Sequence, residues 1–238
     1  MVSTARDIAA AYPKAAPIAD EIVAMSGRLG IPDPGWLANL MNFETGGTFS
    51  PQIINRGCKR RSAKAGTDPL DKCATGLIQF MPATAKGLGT SNHELYNMSA
   101  HEQLKYVEEY FAKKVRRGKT LHDPTDIYMA VFFPAAMSKG PNFSMYDWYV
   151  RNRSQSKADS YLSQNPGIKT AADYANKANK NAKLPTGLTG VEVGKVGGTS
   201  IRVYPYLLTF SFLLLAGSFY FYKKQTAGTK KKKKKKKK

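Results

Sequence analysis

One carboxylate stands where the sequence could perform acid chemistry. Glu44 ends an apolar run that closes with Phe43, and Thr45, Gly46 and Gly47 follow directly. The pattern predicts a helix that ends at Glu44 and a sharp turn beyond it. Apolar neighbours there would desolvate the carboxyl and raise its pKa, so that it could donate a proton to a glycosidic oxygen. Composition alone favours the alternative, a helix-end Glu in solvent.

A second stretch carries a glycine and an amide at a turn. It runs Gly-Leu-Ile-Gln-Phe-Met-Pro from Gly76 to Pro82. Gly76 permits close approach of the backbone, and Gln79 offers both a donor and an acceptor to the hydroxyl or amide groups of a sugar. Taken alone, the stretch predicts a turn that leads into a helix.

Together, the two stretches resemble the soluble lytic transglycosylases and goose-type lysozymes. In that group a Glu-Ser or Glu-Thr pair is followed downstream by Gly-Leu-Met-Gln-x-Met-Pro. Glu44-Thr45, with Phe49-Ser50-Pro51, matches the first motif, and Gly76 to Pro82 matches the second. Ile127-Tyr128-Met129 matches the third motif, Ala-Tyr-Asn, loosely, and the run after it is similar to those of phage tail and virion transglycosylases. The resemblance covers about residues 15–150.

The resemblance implies a mainly α fold of the lysozyme-like α+β type and an enzyme that cleaves peptidoglycan. It implies that Glu44 acts first as general acid and then as base. It also assigns contacts with the substrate to five residues: Thr45, Gln79, Phe80, Met81 and Tyr128. Gln79 would bind an N-acetyl group near the scissile bond, Tyr128 would line the cleft beside it, and the Thr45 hydroxyl could orient Glu44. Neither a cofactor nor a metal is implied.

The number of carboxylates bears on the mechanism. Glycosidases that use water generally need a second Asp or Glu. The family instead uses the 6-hydroxyl of the sugar as nucleophile, which one Glu deprotonates after it has protonated the leaving group. Asp68 and Asp71 remain an alternative second carboxylate, although their Thr-Asp-Pro-Leu-Asp-Lys setting is more typical of a turn.

Several helices must position these residues. Apolar spacing predicts helices over residues 16–29 and 34–43, a helix opened by a capping box at Ser99 and Glu102, and another opened by Asp123-Pro124. Strand patterns are weak, and a short hairpin within residues 50–72 is the only one we expect. Cys58 and Cys73 bracket part of that stretch. A disulfide between them is slightly favoured over two free thiols.

The positive charge is concentrated towards the C-terminus. Residues 1–160 hold 20 Lys and Arg against 15 Asp and Glu, whereas residues 161–238 hold 17 against 2. The excess therefore belongs to the tail and does not indicate a basic folded domain.

The distribution of apolar, glycine and charged residues divides the sequence into four segments. We expect a single helical catalytic domain in residues 1–165, a helix and Gly-rich linker in residues 166–202, a transmembrane helix in residues 203–222 and a polylysine tail in residues 223–238. Residues 203–222 carry no charge and have tyrosines near both ends, which is typical of a membrane span. A buried core helix is the alternative.

The tail bears on partners and location. Its nine consecutive lysines, Lys230 to Lys238, could contact a viral genome or anionic lipid, or serve as a topology signal or tag. The sequence thus predicts a lytic transglycosylase that opens the host wall during infection. It would lie in the internal membrane of a virion, where other virion proteins could bind it. The alternative is a virion structural protein whose lysozyme-like domain is inactive. A chitin-cleaving enzyme of the same fold is a weaker third candidate.

Overall fold

The computed structural model describes residues 2–187, together with the backbone of residues 191–196 and 199–203. Within residues 2–187 the α-helices follow one another in this order: α1 (Ala5–Ala11), α2 (Ala19–Leu29), α3 (Pro34–Glu44), α4 (Arg56–Lys64), α5 (Pro82–Gly87), α6 (Asn92–Asn97), α7 (Ala100–Val115), α8 (Pro124–Phe132), α9 (Met145–Asn152), α10 (Gln155–Gln164) and α11 (Ala171–Ala178). Short 3₁₀ helices lie between them at Pro13–Ile18, Pro69–Asp71, Pro134–Ala136 and Asn179–Asn181.

Local caps explain where the helices around the site begin. The Asp33 side chain accepts a hydrogen bond from the Gly35 amide at the start of α3. Ser99 and Glu102 form the predicted capping box of α7. Asp123 caps α8, whose first residue is a proline. Each cap satisfies backbone amides that the first turn of a helix leaves without partners. The predicted helices over residues 34–43, after the Ser99 box and after Asp123 are therefore confirmed.

The segment from Ser50 to Lys72 is helical where the sequence predicted a hairpin. It holds α4 and the 3₁₀ helix Pro69–Asp71. Pairing in residues 2–187 is limited to isolated bridges, two of which join Thr75 to Ile54 and to Phe80. The hairpin prediction was wrong because Asn55 caps a helix at the Cys58 amide. The mainly helical class is confirmed.

A disulfide joins Cys58 of α4 to Cys73, as the sequence slightly favoured. Cys73 is buried, and its carbonyl accepts a hydrogen bond of 2.7 Å from the side chain of Asn92. Closing a loop with a sequence separation of 15 contributes about 3 kcal/mol through the entropy of the unfolded chain. The bridge therefore ties α4 to the strand-like segment that leads into Gly76.

The compact unit extends beyond its predicted end at residue 165, to Leu188. Helix α11 packs on α8 and α3, and its Tyr174 is buried. Leu184 is also buried, and its carbonyl accepts a hydrogen bond of 3.2 Å from the Asn39 amide. A few small and aromatic residues at helical spacing thus suffice for α11 to cover α8.

The described residues beyond this unit belong to a second one. Its described backbone is an antiparallel pair, β1 (Val191–Val196) and β2 (Thr199–Val203), in which Val196 pairs with Thr199. Part of the segment predicted as a linker is thus a hairpin, which the valines that recur along β1 and the Gly-Gly pair that follows it favour.

The predicted membrane span and the lysine tail fall outside the described residues, apart from Val203, which ends β2. Among the described residues, none of the helices combines the length and the apolar character that crossing a membrane requires.

Candidate active site

Glu44 is the last residue of α3, and the chain turns sharply after it. Gly46 and Gly47 have positive φ values of 60° and 82°, a backbone region that glycine enters at little cost. The Gly47 amide donates a hydrogen bond of 2.8 Å to the carbonyl of Asn42. The two glycines thus end the helix and leave the carboxyl of Glu44 at its edge, as the sequence pattern predicted.

Thr45 supports this turn. Its hydroxyl donates a hydrogen bond of 2.7 Å to the carbonyl of Met41 and accepts one of 3.0 Å from the Phe49 amide. The residue is 2% exposed. Its predicted contact with substrate needs correction, because burial and these two bonds occupy the hydroxyl. The hydroxyl holds the turn and forms no hydrogen bond with Glu44.

The carboxyl of Glu44 is only partly exposed and has unusual electrostatics. Burial raises its pKa to about 7, and a hydrogen bond from Tyr174 opposes part of that rise. The Tyr174 hydroxyl donates to Oε1 over 3.2 Å. A carboxyl with this pKa is partly protonated at neutral pH, which is what a general acid needs.

Three tyrosines interact electrostatically with the carboxyl of Glu44. Burial raises the pKa of Tyr110 to about 12, and the charge of Glu44 adds to the rise. Burial and then Glu44 raise the pKa of Tyr174. The pKa of Tyr128 is also raised. Burial is the largest cause, the Tyr12 phenol is the second, and the charge of Glu44 contributes less. These phenols stay neutral, so they can stabilise charge on Glu44 only as dipoles or hydrogen-bond donors.

Aromatic rings form one wall beside Glu44. The Tyr174 ring stacks on Phe132 with centroids 3.7 Å apart, and meets Phe43 edge-on at 5.9 Å. These contacts hold the phenol that donates to Glu44. They also supply the apolar surroundings that raise the pKa of the carboxyl.

Tyr128 lies behind this wall. It is 1% exposed, and its hydroxyl donates a hydrogen bond of 2.5 Å to the Asn179 side chain. Its predicted place on the surface of the cleft therefore needs correction, because a ring buried in α8 presents no surface to a substrate. Tyr128 instead connects α8 to the 3₁₀ helix Asn179–Asn181.

The loop from Gly76 to Gln79 is held from within the core. Gly76 has φ 84°, and a Cβ there would come within 2.3 Å of Gln103 Oε1. That oxygen accepts a hydrogen bond of 2.7 Å from the Leu77 amide, while Gln103 Nε2 donates to the carbonyl of Leu95 over 2.8 Å. Gln103 is fully buried. Its amide thus fixes the path of the loop.

Gln79 presents an acceptor from this loop. Its Nε2 donates to the carbonyls of Ile53 and Gly76 over 3.2 and 3.1 Å. Among the described residues, none donates a hydrogen bond to its Oε1. The backbone at Gln79 has φ 55°, an uncommon conformation for a residue other than glycine and one that clusters at functional sites. An acceptor of this kind suits the N–H of an N-acetyl group.

A groove runs from Gln79 past Tyr110. Gln79, Met81 and Tyr110 line a small cavity of about 40 Å³. Tyr110 also lines an adjoining cavity of about 410 Å³, which carries Lys113, Lys114 and Arg117 along one side. The charge of Glu44 contributes to the raised pKa of Tyr110, although Glu44 itself lines neither cavity.

The two apolar residues of the motif differ in exposure. Met81 is 51% exposed and available to a ligand, whereas Phe80 is 2% exposed. The Phe80 ring packs edge-on against Tyr110 at 6.2 Å, so its predicted contact with substrate needs correction. Phe80 supports the groove from beneath.

The alternative second carboxylates have other partners. Asp71 Oδ1 lies 3.1 Å from His93 Nε2, and Asp68 accepts a hydrogen bond from the Leu70 amide over 2.8 Å. Within residues 2–187, neither of them contributes to the pKa of Glu44, which burial and Tyr174 set. The part of the chain that the structure describes also holds no group of His, Cys, Asp and Glu arranged for a metal ion.

Tyr110, Tyr174 and Gln103 were not predicted from the sequence as residues of the site. Gln103 stands beside Leu104 on the apolar face of α7, and a polar residue in such a place is a usable sign of a buried hydrogen-bonding role. Tyr174 carried no comparable sign, because its partner lies 130 residues away. Comparison with models of protein families and with curated proteins finds no match for this chain.

The phenol of Tyr174 should set the pH at which Glu44 loses its proton. Its hydrogen bond favours the carboxylate, so Tyr174→Phe should raise the pKa of Glu44. In the wild type the carboxyl should lose its proton as the pH rises through about 7. In the variant this loss should occur at higher pH. The measurement is the titration of the Glu44 carboxyl, followed by NMR between about pH 5 and 9.

A matched control is Tyr146→Phe, whose hydroxyl bonds Asp159 over 3.1 Å and should leave the profile unchanged. If the pH profiles of Tyr174→Phe and the wild type are identical, this hydrogen bond does not influence the pKa of Glu44.

Proposed function

We propose that this chain is a peptidoglycan-cleaving lytic transglycosylase in which Glu44 is the general acid and then the base. One observation carries the proposal: a carboxyl with a pKa of about 7 at the open end of α3, with Tyr174 as its hydrogen-bond donor. The groove beside Gln79 and Tyr110 supports it. The lysozyme-like relationship of the fold is part of the same proposal and rests on the motif resemblance.

The reaction needs one carboxyl and two proton transfers. Protonated Glu44 donates its proton to the glycosidic oxygen as the bond from C1 to that oxygen breaks. The carboxylate then accepts the proton of the 6-hydroxyl as that oxygen attacks C1, which closes a 1,6-anhydro ring and restores the acid. Atoms balance without water. Gln79 Oε1 would accept a hydrogen bond from the N-acetyl group and hold the ring, with exposed Met81 beside it.

Product analysis tests this proposal. The full chain in detergent should clear a peptidoglycan gel, and mass spectrometry should find products that lack the mass of one water relative to hydrolysed ends. Hydrated products would assign the second step to water and reopen the question of Asp68 and Asp71. If no clearing occurs, the alternative of a structural virion protein with an inactive domain is favoured. A preference for chitin over peptidoglycan would identify the third candidate.

We extend the proposal to location and partners on the sequence features alone. A single span at residues 203–222 would hold the enzyme in the internal membrane of a virion, and Lys230 to Lys238 would contact the viral genome or anionic lipid. Deleting these lysines and measuring retention on DNA and on anionic vesicles separates the two polyanions. Unchanged retention on both would leave the tail without either partner.

A further inference from the structure

A cavity of about 580 Å³ opens next to the turn that follows Glu44. Asn42, Phe43, Gly46 and Gly47 line one side of it. The remaining lining comes from the N-terminal segment and from the chain around α11 and beyond: Tyr12, Pro13, Lys14, Lys177, Ala178, Lys180, Asn181 and Lys183. The cavity is distinct from the groove beside Gln79, with which it shares no lining residue.

Local geometry brings its lysines together. Lys177 lies in the last turn of α11, and Lys180 lies in the 3₁₀ helix that follows. Lys177 and Lys180 are three residues apart, a spacing at which side chains of a helix are neighbours on its surface. Lys183 comes three residues later, where its amide donates a hydrogen bond of 2.7 Å to the Tyr12 hydroxyl. Lys14 belongs to the facing 3₁₀ helix Pro13–Ile18.

The lining holds four lysines and neither an Asp nor a Glu. Among the described residues, no carboxylate forms an ion pair with these lysines; the ion pairs there involve Arg28, His93, Lys113 and Arg116. Like charges around one cavity repel each other and attract anions. The charge of the cavity therefore complements a ligand with more than one negative group.

We propose that this cavity binds the carboxylates of the peptide stem that the peptidoglycan strand carries. The inference rests on the proposed function. Gly46 and Gly47 line the cavity and begin two residues after Glu44, so a sugar held at Glu44 would bring its substituent beside the lysines. The amide side chains of Asn42 and Asn181 add groups that can bond a peptide backbone. Stem recognition would thus select glycan strands whose peptides are intact.

Two triple variants of the full chain in detergent test the inference. Lys177→Ala/Lys180→Ala/Lys183→Ala removes three of the four lysines that line the cavity and leaves Lys14. Lys59→Ala/Lys64→Ala/Lys72→Ala removes the same charge from exposed sites that do not line it. Both variants retain the nine C-terminal lysines, so nonspecific attraction by the tail is equal in the two proteins. Their thermal unfolding midpoints should agree, because all six side chains are exposed.

The substrates are intact peptidoglycan and the same glycan after an amidase has removed its stems. The cavity variant should lose about tenfold in kcat/KM on the intact substrate, since each exposed charge pair contributes only a few-fold. It should change by less than about twofold on bare glycan, and the control should change by less than about twofold on both. An equal loss on both substrates, or no loss on the intact one, overturns the inference.

Binding of a soluble stem tripeptide with free carboxylates, followed by calorimetry, separates this inference from the proposed function. Weaker binding to the cavity variant than to the control supports the cavity even if the wild type cleaves no glycan. Equal binding to both overturns it even if cleavage is normal. Inorganic phosphate that displaces the tripeptide at equal concentration would show a general anion site and overturn the assignment to the stem.

Discussion

Replacing Glu44 with Gln should lower peptidoglycan cleavage by at least about a hundredfold, because a positioned acid contributes about 10²–10⁴-fold and Glu44 serves both steps of the proposed mechanism. The amide has nearly the shape of the protonated carboxyl but holds no transferable proton. Its oxygen can still accept the hydrogen bond from Tyr174 that Glu44 Oε1 accepts. Because burial already favours the neutral form of Glu44, the fold should tolerate the change.

The comparison is with Glu109→Gln, made on the exposed side chain that pairs with Arg116 over 2.6 Å. Exposed ion pairs contribute about 0–1 kcal/mol, so this variant should cleave like the wild type. The measurements are gel clearing, the initial rate on soluble glycan and the circular dichroism of both variants. Retention of more than about a tenth of the wild-type rate in Glu44→Gln, on the scale above, would exclude Glu44 as the catalytic acid.

Replacing Gly76 with Ala should lower the free energy of unfolding by about 2–4 kcal/mol and disable the groove. Two causes combine. The backbone at Gly76 has φ 84°, where a side chain costs about 1 kcal/mol or more. The new Cβ would also lie 2.3 Å from Gln103 Oε1, and this buried amide cannot move without losing its bonds to the Leu77 amide and the Leu95 carbonyl.

Gly89→Ala separates the two causes. Gly89 has φ 78°, but a Cβ there would meet nothing within 4 Å. Urea unfolding should therefore show a loss of only about 1 kcal/mol for this variant. Equal losses for the two variants would mean that Gln103 yields to the new methyl group, and that the hydrogen bonds of its amide do not hold the loop.

The sequence by itself determined much of the local structure. Helix α3 ends where Gly46 and Gly47 follow Glu44, and α7 begins at the capping box of Ser99 and Glu102. These features depend on backbone groups within a few residues, so residue types at fixed spacing predict them. The slight preference for a disulfide between Cys58 and Cys73 was correct for a similar reason, since the residues between them are few.

Local patterns were less useful where the competing signals were weak. The stretch from Ser50 to Lys72 was predicted as a hairpin and forms α4, while the hairpin of β1 and β2 occurs in a segment predicted as a linker. The first segment has a basic composition, and its structure is decided by the helix cap at Asn55. The second is Gly-rich, and its structure is decided by the valines that recur along β1.

Only the tertiary structure decided what surrounds Glu44. The carboxyl's hydrogen-bond donor, Tyr174, lies 130 residues further along the chain. The packing of α11 on α8 and α3 brings it there, and α8 buries Tyr128 in the same core. The lysines of the cavity come together in the same way, since Lys14 lies far along the chain from Lys177, Lys180 and Lys183. Such contacts depend on which helix faces bury the most apolar surface when they pack together. The periodicity within one segment shows its apolar face but does not show which other segment covers that face.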